Sequence, residues 1–322
     1  NIGAYEYVPP PAFTSATFFG GAGDEQGYGI AVSGGKVYVA GQDGAGAKGS
    51  LVKYGIPPAS PAWSDIQTGS VYYSAVAASS TSVYAVGGAL PPLFGASAGA
   101  GDTEHKSALA VYSPTGTLLA YHSPNFFSYR GGEGYGAVTV VAEGSSEVVY
   151  VAGQGEEYGW GQNRVMLAKY SSAGTLLWKR TYGSGSSGGS GAGGIVWLNG
   201  YLYLAGFNQN NQAMLLKYDA AAVPPDANPS ATGAAYLTPV WSQLYNPSGG
   251  AYARAVTTDG TSIYVTGFRN SGTFGGSDIF ILKYSQAGEL LWSREWGGAG
   301  NDGGWEMGIA VSGNRVYVAS QT

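Results

Sequence analysis

The chain contains no cysteine. That removes disulfides, zinc–thiolate sites and thiol nucleophiles together. Histidine is nearly absent, with His105 and His122 alone, which weakens most acid–base and transition-metal schemes. Charge is sparse at 11% of residues, less than half the usual ~25%. Lys and Arg number 15 against 20 Asp and Glu, giving −5 with no basic run. A phosphate-tracking nucleic-acid surface is therefore not expected. No apolar stretch approaches the ~18 residues of a spanning helix. There is no usable Asn-x-Ser/Thr acceptor, because Asn228 and Asn246 are each followed by proline. The chain starts at Asn1 without Met. From this we expect a signal sequence to have been removed and the protein to work outside the cell or on its surface.

What the chain has in excess is glycine: 55 of 322 residues, over twice the usual ~7%. The glycines keep no three-residue period, so a collagen triple helix is excluded. Aromatics reach 13%, enough to bury a core, so intrinsic disorder is not expected. Glycine should then be punctuation between many short strands.

A five-residue pattern recurs: Val37–Gly41 (Val-Tyr-Val-Ala-Gly), then Val83–Gly87, Val149–Gly153, Leu202–Gly206, Ile263–Gly267 and Val316–Ser320. Its tyrosines stand 46, 66, 53, 61 and 53 residues apart. A small-residue strand precedes each, as in Gly29–Val32, Ala253–Val256 and Gly308–Val311. Gly34-Gly35, Asn199-Gly200, Asp259-Gly260 and Gly313-Asn314 join the two, and such pairs favour tight hairpins. A third strand ends in Lys-Tyr, at Lys53-Tyr54, Lys169-Tyr170, Lys217-Tyr218 and Lys283-Tyr284. A fourth carries Leu-Leu-Trp, at Leu176–Trp178 and Leu290–Trp292. Four consecutive antiparallel strands per repeat describe one blade of a β-propeller.

The last unit stops at Thr322, after its second strand. The N-terminus begins with the missing pieces. Ala4-Tyr5-Glu6-Tyr7 matches the Lys-Tyr strand, and Phe13 through Gly21, with Phe18 and Phe19, matches Leu290 through Gly298. The closing gap from Tyr317 round to Tyr38 is 43 residues, close to the shortest internal spacing of 46. We therefore expect an all-β fold: one six-bladed β-propeller spanning residues 1–322, four antiparallel strands per blade. The blades run at about 22–67, 68–124, 130–182, 183–245 and 246–296, with a composite blade of 297–322 plus 1–21. In that blade two C-terminal strands are closed by two N-terminal ones, through Ala4, Tyr5, Tyr7, Phe13, Phe18, Phe19 and Tyr317.

The run Gly-Gly-x-Gly-x-Asp-x-Gly-x-Gly-Ile-Ala-Val, followed by Val-Tyr-Val-Ala-Gly and Leu-Val-Lys-Tyr…Gly-x-Leu-Leu-Trp, resembles the SBBP-type β-propeller repeat of bacterial and archaeal surface proteins. The likeness is clearest in 20–54, 147–178 and 262–318, and weaker in the second unit, where Leu118-Leu119-Ala120 lacks the tryptophan. It implies a surface or secreted module that is usually not catalytic, and it supplies no catalytic residue.

Candidate site residues fall in loops. Tyr158, Trp160, Gln162 and Asn163, with Asn208 and Asn210, place aromatics beside amides, a set suited to sugars or a protein partner. Asp24, Glu25, Glu133 and Asp302 recur between blades, and Asp24 and Asp302 could contribute oxygen ligands to Ca²⁺. Their spacing fits no known calcium loop, and acidic turn caps are the simpler reading. No other cofactor is expected. The recurring tryptophans read as packing between blades, and the lysines as stems on apolar surface with ammonium groups in water. We expect no enzyme, with a hydrolase at a channel-mouth carboxylate such as Glu133 as the last-ranked alternative. The leading expectation is a structural, self-associating surface or filament subunit, because low charge reduces repulsion between copies. The alternative is a carbohydrate-binding or adhesive propeller.

Overall fold

The computed structural model describes residues 24–44, 48–56, 60–67, 71–90, 106–124, 126, 132–156, 163–183, 189–223 and 235–320. They form strands and turns, with no helix among them. Six antiparallel sheets follow one another in chain order. The first joins β1 (Gln26–Ser33), β2 (Lys36–Asp43), β3 (Lys48–Gly55) and β4 (Trp63–Ile66). The second joins β5 (Val71–Ala78), β6 (Val83–Ala89), β7 (Lys106–Tyr112) and β8 (Leu118–His122). The third joins β9 (Glu133–Glu143), β10 (Ser146–Glu156), β11 (Asn163–Ser171) and β12 (Leu176–Tyr182). The fourth joins β13 (Gly191–Leu198), β14 (Tyr201–Phe207), β15 (Ala213–Asp219) and β17 (Trp241–Tyr245). The fifth joins β18 (Ala251–Thr258), β19 (Ser262–Arg269), β20 (Asp278–Ser285) and β21 (Leu290–Trp296). The sixth has two described strands, β22 (Met307–Ser312) and β23 (Arg315–Ser320). The first strands stand side by side in order, β1 by β5, β5 by β9, β9 by β13, β13 by β18 and β18 by β22. The arrangement is propeller-like.

One strand departs from the expected blade boundaries. β16 (Ala235–Tyr236) lies in the long connection between β15 and β17, yet pairs parallel with β12 of the preceding sheet. It extends that sheet to five strands.

The repeat's residue types meet in register. The motif tyrosine of each second strand faces the lysine of the third, which faces the tryptophan of the fourth. This holds for Tyr38–Lys53–Trp63, Tyr150–Lys169–Trp178, Tyr203–Lys217–Trp241 and Tyr264–Lys283–Trp292. The tyrosine and tryptophan rings lie 5.9 to 6.2 Å apart in all four. Each ammonium sits 4.9 to 5.7 Å from its tyrosine ring, a cation–π distance. In the second sheet Val111 and Ala120 take these places, which accounts for the weaker repeat there.

The lysines are not simply in water. Lys53 Nζ and Trp63 Nε1 both donate to the carbonyl of Pro114, in the β7–β8 turn of the next sheet. Lys217 Nζ and Trp241 Nε1 both donate to the carbonyl of Gln286, in the β20–β21 turn of the sheet after theirs, at 2.9 and 3.3 Å. The pair clasps one sheet to its successor. Period-two reading of the strands could not show this, because the acceptor is a turn carbonyl of another repeat.

Four buried apolar cores fill the interfaces between sheets one and two, two and three, three and four, and four and five. β6 and β7 are buried along their whole length. In contrast β1, β21, β22 and β23 alternate or lie exposed, leaving Ile30, Val32, Leu290, Leu291, Trp296 and Tyr317 open. Most of the exposed large apolar residues thus lie on or beside sheets five, six and one, with Leu118, Leu119 and Leu244 on the outer strands of sheets two and four.

Candidate functional site

In five sheets the first strand carries one residue more than its partner. The extra residues are Tyr28, Ser74, Gly136, Gly193 and Arg254. Each is a β-bulge, which bends the strand and re-aims a side chain. All five line one cavity of about 950 Å³, bounded by the first strands of all six sheets. The cavity therefore lies along the axis of the propeller-like array.

The bulge also explains the glycine that closes the repeated pentapeptide. It lets the first strand's carbonyl press onto the second strand. A Cβ at Gly41, Gly87, Gly153, Gly206 or Gly267 would stand 1.9 to 2.0 Å from that oxygen. In the sixth sheet Ser320 replaces the glycine, and β22 pairs with β23 without a register shift.

The lining is graded along the strands. Mid-strand positions are apolar: Ile30, Val138, Ile195, Val256 and Ile309. The starts of first strands and the ends of second strands supply Tyr72, Glu133, Gln42, Gln154, Glu156 and Glu306. A Cβ at Gly88 would stand 2.7 Å from the Tyr72 ring and one at Gly134 2.5 Å from its hydroxyl, so a side chain at either glycine would displace it. Burial raises its phenol above the usual value. Glu133 is 2% exposed and accepts from the Phe126 amide through both oxygens at 3.2 Å.

On the opposite wall Arg254 Nε donates to the Trp305 carbonyl at 3.0 Å, and its guanidinium lies 4.7 Å from the indole centroid. Burial lowers the guanidinium to about 10, although neighbouring Glu306 acts to raise it, so it stays charged at neutral pH. Trp305 is 51% exposed, yet its ring is held by Phe207, Tyr252 and Phe268 at 5.5 to 6.3 Å. The Tyr28 hydroxyl donates to Gln26 Oε1; burial and then Glu306 raise that phenol.

The residues singled out in the sequence divide. Asn163 and Glu133 line the cavity. Asn208 is committed to its own turn: its Oδ1 accepts from the amides of Asn210 and Gln212, and its Nδ2 donates to Gln212. Asn210 is exposed in that turn. Asp302 caps its loop by accepting from the Gly298 amide, and Asp24 is an exposed residue just before β1. Among the described residues no three His, Cys, Asp or Glu side chains come together as a metal site. His122 is half-buried on β8, where burial lowers its imidazole. Ala4, Tyr5, Tyr7, Phe13, Phe18, Phe19, Tyr158, Trp160, Gln162 and His105 lie outside the described residues. The sequence reading missed Tyr28, Ser74, Tyr72, Arg254, Trp305 and Glu306. For Tyr28, Ser74 and Arg254 the mark is one extra residue in the first strand, visible only in the register.

No protein-family model matches the chain, and no curated protein matches it. Among solved structures it is similar to an exo-1,5-α-L-arabinanase from a bovine ruminal metagenomic library, at 11% identity and a TM-score of 0.41. That match covers 87% of this chain and all of the other. The finding corrects one expectation: the reading of the chain as no enzyme is not upheld, because the similar structure is an arabinanase. At that identity and TM-score the likeness supplies no residue, substrate or activity for this chain.

Proposed function

We propose that the chain is a six-bladed β-propeller of the SBBP-repeat type, its sixth blade completed by residues 4–21, which self-associates at the cell surface. Its outer strands carry the association. Ile66 on β4, Leu118 and Leu119 on β8, Leu244 on β17, and Leu290 and Leu291 on β21 are all exposed. These strands have no outer neighbour among the described residues. An open edge bearing aliphatic side chains is a template for another strand. The third sheet is the carrying observation, because there the equivalent edge is taken by β16, paired with Arg180 and Thr181. An outer edge of this protein thus accepts an added strand. Low charge, 11% of residues, leaves little repulsion between copies.

Sedimentation velocity over a concentration series tests this. The intact chain is expected to form concentration-dependent oligomers, and Leu119→Lys with Leu291→Lys to return them to monomer. A chain that stays monomeric at every concentration would overturn the proposal.

A further inference from the structure

We propose that the axial cavity binds the end of a neutral oligosaccharide, with Trp305 as the stacking platform and Arg254 and Glu306 as hydrogen-bonding partners. The cavity is built from described residues alone, so it stands apart from blade closure and self-association. Its volume, about 950 Å³, lies at the top of the ~300–1,000 Å³ range of small-ligand sites.

Three observations select the ligand class. First, a half-exposed indole is held rigidly by three aromatic rings and one guanidinium. A fixed, open aromatic face offers apolar surface to the C–H face of a sugar ring at little entropic cost. Second, the polar groups are spread out. Arg254 is the one cationic side chain of the lining and has Glu306 beside it, so no cationic patch selects an anionic ligand. Dispersed acceptors with one fork of donors suit a polyhydroxylated neutral ligand, whose hydroxyls both donate and accept. Arg254 uses Nε on the Trp305 carbonyl, and its terminal nitrogens make no hydrogen bond among the described residues.

Third, the bulges are unequal. Sheets three and four place Gly136 and Gly193 at the axis, while sheets five, one and two place Arg254, Tyr28 and Ser74. The bulges of sheets three and four thus send no side chain into the cavity. Gly193 has a packing reason as well, since a Cβ there would lie 2.8 Å from the Arg254 carbonyl, so substitution there would displace Arg254.

The probe is an array of neutral and acidic oligosaccharides, followed by titration calorimetry with the best neutral binder. The intact protein is expected to bind a neutral glycan. Glu306→Gln, an exposed position that should fold normally, is expected to weaken it about tenfold. Trp305→Ala should weaken it further, and Phe274→Ala, an exposed aromatic outside the cavity, should leave it unchanged. Thermal melts confirm that each variant is folded. Absence of neutral-glycan binding, binding to acidic glycans alone, or affinity unmoved in both Glu306→Gln and Trp305→Ala would overturn the proposal.

Discussion

At the residue scale the pentapeptide glycine and the hairpin aspartate carry the sharpest consequences. Gly206→Ala puts a methyl carbon where the Gly191 carbonyl oxygen is 1.9 Å away, a contact that only backbone displacement relieves. We expect a loss above about 2 kcal/mol, read as a fall in melting temperature. Asp259 sits in the β18–β19 turn. Burial there acts to raise its carboxyl. Hydrogen bonds from Thr261, the Ser262 amide and the Tyr264 hydroxyl outweigh that and hold it well below the usual carboxylate range. A carboxyl lowered by folding stabilises above its unfolded pKa of ~4, and that stability is lost as pH falls through the folded value. The melting-temperature gap between the intact protein and Asp259→Asn should be constant from about pH 5 to 8 and shrink below about pH 4. A gap unchanged in acid would contradict the assignment.

Strands and turns repeat their chemistry because each four-stranded sheet solves the same packing problem. The tyrosine, lysine and tryptophan of successive strands were legible in the sequence, since each recurs at a fixed place in its unit. Their common use was not legible, because the acceptor they share is a carbonyl of a different unit. The clasp predicts a graded result. Lys217 donates to Gln286 and lies over two tyrosine rings, whereas Lys283 has the Tyr264 ring and an ion pair with Asp259 at 3.9 Å. Lys217→Met should cost about 1–2 kcal/mol in urea unfolding, and Lys283→Met less. Equal costs would show that the carbonyl contact contributes nothing. The bulges escaped the sequence reading for a related reason. Tyr28, Ser74, Gly136, Gly193 and Arg254 are of four residue types with no common chemistry. Their equivalence exists only in the strand register. β16 escaped because two residues are too short to carry a periodic pattern.

For the whole molecule, five sheets of four successive strands and the two-stranded start of a further one were readable from the spacing of the tyrosines. The axial cavity was not, because it is assembled from strands separated by the full length of the chain. Four interfaces between sheets have buried cores, and most of the large apolar residues left open lie on or beside sheets five, six and one. That is where a completed sixth blade would pack. By analogy with Val265 facing Leu282 and Tyr264 facing Lys283, the proposed completion would set Tyr5 opposite Val318 and Glu6 opposite Tyr317.

Disulfide trapping tests that pairing most directly, since the chain has no cysteine of its own. Adjacent strand partners lie within the Cα range that a disulfide spans. The pairs are Tyr5→Cys with Val318→Cys and Glu6→Cys with Tyr317→Cys. Ala310→Cys with Tyr317→Cys, neighbours across β22 and β23, serves as the positive control. Closure of at least one of the first two pairs is the predicted result, seen as a bridged monomer if the blade is completed within one chain and as covalent oligomers if it is completed by a neighbour. A control that closes while neither test pair forms any bond, within or between chains, would contradict it.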